Sequence, residues 1–181
     1  MSSQKHLIII NGPARSGKDT FVMYCKQVAE EISLTLSNIS SVDGVKEYLQ
    51  KNSNTDGLFR DGVTKDEYRR KQMIDLKQKR IKQDPLSITH RVLQKIQEIN
   101  ADLNFIHIRE PEEIEKMKKA GIQSGYRVST LHISKPEIQR YTNGIDDQTE
   151  NYTYDTYIKN NQDLTHLKLL AREYITNLLK N

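Results

Sequence analysis

Between residues 12 and 20 the chain reads Gly12-Pro13-Ala14-Arg15-Ser16-Gly17-Lys18-Asp19-Thr20. This spacing of two glycines and a lysine, G-x-x-x-x-G-K, is that of a phosphate-binding loop. Glycine permits backbone conformations barred to other residues, so successive N–H groups can converge on one anion. A helix beginning at the lysine adds the positive end of its dipole at the same place. Lys18 can reach the β- and γ-phosphates of a nucleoside triphosphate and neutralise charge that builds during transfer. Gly12 to Thr20 are therefore the expected nucleotide-binding residues, and Lys18 is the first expected catalytic group.

One position departs from the usual pattern. The lysine is commonly followed by Ser or Thr, whose hydroxyl ligates magnesium, but here Asp19 follows and then Thr20. Magnesium takes oxygen ligands and keeps several waters, so a carboxylate can hold it directly or through water. Either Asp19 or Thr20 can supply the metal ligand, and ATP with Mg2+ is the expected cofactor pair.

Such a loop needs a buried strand before it and a helix after it. The β-branched run His6-Leu7-Ile8-Ile9-Ile10-Asn11 predicts a central strand over Lys5 to Asn11. Phe21, Val22, Cys25, Val28, Ala29 and Ile32 recur at helical spacing, predicting a helix from Gly17 to Ile32. Leu34 to Ser41 reads as a strand, Val42 to Gln50 as a short helix and Lys51 to Gly62 as a loop. Lys65 to Lys82 reads as a charged helix with Tyr68, Met73, Ile74, Leu76 and Ile81 as its apolar positions. Asp84-Pro85 marks a helix start, with Asp as cap and Pro in the first turn, running to about Asn100. Leu103 to Ile108 is a predicted strand, Pro111 to Gly121 a helix and Tyr126 to Ile133 a strand. Ser134 to Glu150 has no period and is expected to be a mobile loop. Thr153 to Ile158 and the amphipathic stretch Leu164 to Leu179 complete the pattern. Strands alternating with helices over 181 residues predict one α/β domain, with helices flanking a mainly parallel sheet through right-handed crossovers.

Bulk properties narrow the classes. The chain is 35% hydrophobic and 29% charged, with a formal net charge of +4, which suits well-solvated helix faces and a phosphate-bearing ligand. The basic run Lys77 to Lys82 lacks the interleaved aromatics of a single-strand stacking platform, which disfavours nucleic acid. No apolar run approaches membrane-spanning length. Cys25 is the lone cysteine, so no intrachain disulfide can form, and a small buried thiol in a cytoplasmic protein is expected. The five histidines show no metal-ligand spacing.

Gly17-Lys18-Asp19-Thr20 resembles the phage deoxynucleoside monophosphate kinases and their bacterial relatives, and more distantly the animal phosphomevalonate kinases. Ser40-Ser-Val-Asp43-Gly-Val-Lys46-Glu47 resembles the segment after their second strand. Lys65 to Lys77, with Arg70 inside it, is similar to their arginine-bearing helix. Phe105-Ile-His-Ile-Arg109-Glu110-Pro-Glu-Glu-Ile114 looks like a strand-to-helix junction of bacterial members, and Tyr154 to Asn161 like a final strand and asparagine turn. The resemblance implies a three-layer P-loop NTPase fold and ATP- and Mg-dependent phosphoryl transfer. The acceptor it implies is a small phosphorylated molecule, a nucleoside or deoxynucleoside monophosphate.

On that basis Lys46, Arg70, Lys77 and Arg109 are expected at the acceptor's phosphate, and Arg109 and Arg140 join Lys18 as catalytic cations. Arg70, Ile74 and Lys77 share one face of the charged helix. Residues 42–82 become an acceptor-side helical segment, and residues 134–150 a loop that closes over the site. Arg127 is a second candidate closing cation, with an ordinary surface arginine the alternative. Asp43 or Asp75 could orient an acceptor hydroxyl, and Glu110 could hold a metal's waters or cap a helix. Two alternatives stand beside this reading: a phosphomevalonate-type metabolite kinase, and a nucleotide-binding regulator that transfers nothing. For assembly, a homodimer is one candidate.

Overall fold

The computed structural model describes residues 4–43, 75–79, 81–136 and 152–180. The expected helix at 42–50 beyond residue 43, the loop at 51–62, the first part of the charged helix and the expected loop at 134–150 beyond Pro136 lie outside them, as do Lys46, Arg70 and Arg140. Ser134 itself belongs to a strand.

Five strands form one sheet: β1 (His6–Asn11), β2 (Leu36–Ser40), β3 (Leu103–His107), β4 (Arg127–Ser134) and β5 (Thr156–Lys159). Their order is β2-β3-β1-β4-β5, and every pairing is parallel. The α-helices are α1 (Lys18–Glu31), α2 (Ser87–Ile99), α3 (Pro111–Gln123) and α4 (Leu164–Lys180), and residues 75–79 and 81–83 are also helical.

Alternate β1 side chains feed two cores. Ile8 and Ile10 pack with Phe21, Cys25 and Val28 of α1 and with Leu167, Ala171 and Ile175 of α4. Leu7 and Ile9 pack with Ile88, Val92 and Ile96 of α2 and with Ile114 and Met117 of α3. The result is three layers, helix–sheet–helix, as expected for a P-loop NTPase fold. Leu7, Ile8, Ile9 and Ile10 are each 0% exposed; burying such a side chain contributes about 1.5–3 kcal/mol. The strand that carries the loop is thus firmly anchored. Cys25 sits in the first core, where burial pushes its thiol well above the ordinary range and keeps it unreactive.

Element starts differ from expectation by two residues or more at β2, which begins at Leu36 instead of Leu34, at α2 and at β5. The Asp84 carboxylate accepts the Leu86 N–H at 2.9 Å and the Asp84 carbonyl accepts the Ser87 N–H at 3.1 Å. Asp84-Pro85 is therefore a turn, and the helix begins two residues beyond it. β5 begins at Thr156, where pairing with Leu131 starts. The Asp155 N–H before it donates to the Thr130 hydroxyl oxygen at 2.9 Å instead, and the Asp155 carboxylate accepts the Thr130 N–H at 2.7 Å.

The chain leaves β1 toward α1 on one face of the sheet and leaves neighbouring β3 toward α3 on the other. Their exits diverge and open a crevice at the carboxyl ends of β1 and β3. In open α/β sheets ligands bind in the crevice at such a switch point.

Candidate functional site

The glycine-bounded loop follows β1 into this crevice. Gly12 has φ +140° and Gly17 φ +93°, both in the region that favours glycine, and Gly17 is the N-cap of α1. The loop closes on itself through the Ser16 N–H, which reaches the Pro13 carbonyl at 3.3 Å. From the far side Asn160, just past β5, donates from Nδ2 to the Ser16 carbonyl at 3.0 Å. Lys18 folds over the loop, its Nζ donating to the carbonyls of Gly12 at 2.7 Å and Pro13 at 2.6 Å. An ammonium and a helix N-terminus thus meet at the loop. Pro13 and Ala14 are half-buried and Arg15 is exposed.

Charged groups ring the loop. On the α1 face His107 ends β3; its Nε2 donates to Asn38 Oδ1 at 2.8 Å and lies 3.8 Å from Asp19 Oδ1. Burial pulls the imidazole below its ordinary range. Asp19 and Asp43 act against that, while Lys18 and Arg109 reinforce it, so the ring is neutral at neutral pH. The Asp43 Oδ2 accepts the Ser40 N–H at 2.8 Å, closing the turn after β2. Asp19 is 92% exposed at its side chain and, facing a neutral ring, keeps its oxygens open to solvent. Thr20 lies half-buried in the first turn of α1.

On the other face the Lys77 Nζ donates to Glu110 Oε2 at 2.6 Å. Lys77 is 6% exposed, so it is buried against this carboxylate instead of lining an open basic face. Burial pushes the Glu110 carboxyl up, but the charge and hydrogen bond of Lys77 outweigh it and hold the group below the usual carboxylate range. Glu110 also stands at the N-cap of α3, with Pro111 in the first turn, though its side chain makes no capping bond. Arg109 sits between the two faces, close enough for its charge to act on both His107 and Glu110.

Because the folded carboxyl titrates below its unfolded value, the Lys77–Glu110 pair stabilises the protein above the unfolded carboxylate pKa, about 4.3. That contribution is lost as pH falls through the folded value. Lys77→Met is expected to lower stability by about 1–2 kcal/mol, less than for a fully buried pair because Glu110 stays a third exposed. Glu110→Gln is expected to flatten the acid side of the profile. Urea midpoints measured from pH 7 down to pH 3 check both, and parallel acid limbs in wild type and Glu110→Gln would remove the pair from the account.

Other expected groups fall elsewhere. Arg127 pairs in register with His6 at the amino end of β4, opposite the loop, so it does not serve as a closing cation. Asp75 is exposed on the helical segment 75–79. Among the described residues no group of three or more His, Cys, Asp or Glu side chains gathers to hold a metal, and no helix is long and apolar enough to cross a membrane. Two site residues escaped the sequence. His107 was one of several unpaired histidines, and Asn11 read only as the end of a strand; nothing local marks either.

Loop and topology together define a three-layer P-loop NTPase fold. Mycobacterium tuberculosis APS kinase CysC in complex with AMPPNP and APS matches with a TM-score of 0.55 at 12% identity, over 98% of this chain and 99% of that one. A mutant of the same enzyme matches at 0.54, with the same identity and coverage. APE1195 matches at 0.56 with 8% identity over 96% of each chain. At these identities the likeness is one of fold. Neither a family model nor a curated protein matches the sequence.

Proposed function

We propose that this protein transfers the γ-phosphoryl group of ATP to a small phosphorylated acceptor, a nucleoside or deoxynucleoside monophosphate. The observation that carries the reading is the Gly12–Lys18 loop, with its lysine and helix N-terminus, at the crevice where β1 and β3 diverge. In the step, an oxygen of the acceptor's phosphate attacks the γ-phosphorus, the bond to the bridging oxygen breaks, and ADP leaves with its electron pair. Catalysis of this kind is mostly positioning and charge stabilisation, so a nucleophilic side chain is not required.

In this reading residues Gly12 to Thr20 hold the donor's phosphates, and Lys18 turns from the loop carbonyls to the β- and γ-oxygens. The backbone donors exclude the N–H groups of Gly12 and Ser16, which are bonded to Asn11 Oδ1 and the Pro13 carbonyl, and Pro13, which has none. Mg2+, when bound, would supply charge stabilisation for the transferred phosphoryl group. Asp19 and Thr20 fit that ion: both offer oxygen, Asp19 is open to water, and magnesium asks for one or two protein ligands beside phosphates and waters. Arg109 holds the acceptor's phosphate, where arginine can make two parallel hydrogen bonds. Lys77, buried against Glu110, acts from behind by positioning the Arg109 junction. Lys46 and Arg70 at the acceptor and Arg140 at the transferred group belong to the same proposal, as do 42–82 as acceptor-side segment and 134–150 as closing loop of one kinase unit.

ADP release from ATP and Mg2+ across a panel of acceptors tests this. The panel holds the common NMPs and dNMPs, phosphomevalonate and, because one protein of similar fold was solved with it, APS. Turnover stimulated by a monophosphate is expected. Stimulation only by phosphomevalonate or APS replaces the acceptor class, and tight ATP binding with no stimulated turnover moves the protein to the regulators.

A further inference from the structure

Asn11 closes β1 and is 1% exposed. Its Oδ1 accepts the Gly12 N–H at 2.7 Å, and its Nδ2 donates to the Arg109 carbonyl at 3.1 Å and to the Tyr154 hydroxyl oxygen at 2.8 Å. Both amide hydrogens are used, and the orientation is unambiguous. Turning the amide over would set Oδ1 against a carbonyl and Nδ2 against an N–H. One buried side chain therefore joins the first residue of the phosphate loop to the β3–α3 junction that bears Arg109.

Tyr154 holds the other side of this join. It is 4% exposed, with its ring 5.0 Å from that of His132 and 4.9 Å from that of Tyr152. Its N–H donates to the Tyr157 hydroxyl at 2.9 Å. The Tyr152 hydroxyl is tied to α3, donating to Glu115 at 2.5 Å and accepting from Lys118 at 3.2 Å. The bend before β5 is clamped to α3 and β4, and through Tyr154 it presses on Asn11.

We propose that Asn11 is a positioning residue for the phosphate loop, with Tyr154 as its support. The pair sets the direction of the Gly12 amide and the separation between the loop and the Arg109 junction. This rests on the nucleotide-binding reading above and adds the residues that keep donor and acceptor ends of the crevice in register.

The test is ATP affinity with Mg2+ by calorimetric titration, read beside the urea midpoint, for wild type, Tyr154→Phe and Ser37→Ala. Tyr154→Phe deletes one hydroxyl and keeps the ring. Ser37→Ala deletes a comparable buried hydrogen bond, Ser37 Oγ to Asn104 Oδ1 at 2.7 Å, toward the amino ends of β2 and β3 and so at the opposite end of the sheet from the loop. Tyr154→Phe is expected to bind ATP roughly 3–10-fold more weakly, with Ser37→Ala at wild-type affinity whatever its midpoint. Wild-type affinity in Tyr154→Phe makes the hydrogen bond structural only and overturns this inference alone. A wild-type protein that does not bind ATP overturns the nucleotide reading and this inference together.

Discussion

Lys18→Ala is expected to lower acceptor-dependent ADP production by roughly 10²–10³-fold, the range seen when one preorganised charge-stabilising donor is removed. The folded protein should survive the change. Lys18 is bonded to the carbonyls of Gly12 and Pro13, and losing it leaves those acceptors to water at a cost of about 1–2 kcal/mol. For a chain of this size that is a fall in melting temperature of about 2–8 °C. Lys18→Arg is not expected to restore activity, because a planar fork cannot take the place of a compact ammonium inside a closed loop. Initial rates at saturating ATP, with melting curves on the same samples, separate chemistry from stability. Acceptor-dependent turnover persisting at half the wild-type rate in Lys18→Ala would remove the loop from the mechanism.

Gly12→Ala is expected to produce the largest combined effect on stability and binding. Gly12 has φ +140°, and a Cβ there would run into the Ile133 carbonyl oxygen. That oxygen is backbone, held in the β4 strand beside β1, so it can give way only if the strand pairing shifts. Strain and overpacking together are expected to cost about 2–5 kcal/mol, with ATP binding lost because the start of the loop is displaced from its bond to Asn11. Gly17→Ala offers the comparison. Its Cβ would meet Asn160 Nδ2 at 2.5 Å, but this is the end of a side chain and can move. Urea denaturation should therefore place Gly12→Ala below Gly17→Ala, and both below wild type. The reverse order would mean that the β4 backbone is not what confines the loop.

The contrast between local and distant contacts explains what was legible. The β1 run, the loop and α1 declare themselves because they rest on neighbours in sequence: β-branched residues for a buried strand, glycines for turns, a helical repeat of apolar side chains. Pro111 marks the start of α3 for the same local reason. Asp84-Pro85 misled by two residues, since an Asp that caps a helix and an Asp that closes a turn offer the same carboxylate to N–H groups a few positions on.

The site's second half obeys no such rule. Lys77 meets Glu110 across 33 positions, and Tyr154 meets Asn11 across 143. Arg127 stood as a second candidate closing cation, beside the surface alternative, until the register with His6 put it at the amino end of the sheet. His107 differs from the other histidines only in ending β3 beside the loop.

The amino-acid sequence by itself determined the α/β architecture, the strand that carries the loop and the glycine-bounded loop to which the proposal assigns phosphate binding. Propensity, periodicity and turn chemistry are written in short windows of chain. Tertiary structure alone decided which cation is buried against which carboxylate, which amide braces the loop and which end of the sheet Arg127 occupies. Those outcomes depend on strand order and on the faces to which the crossing helices pass, and both are set only when distant segments pack.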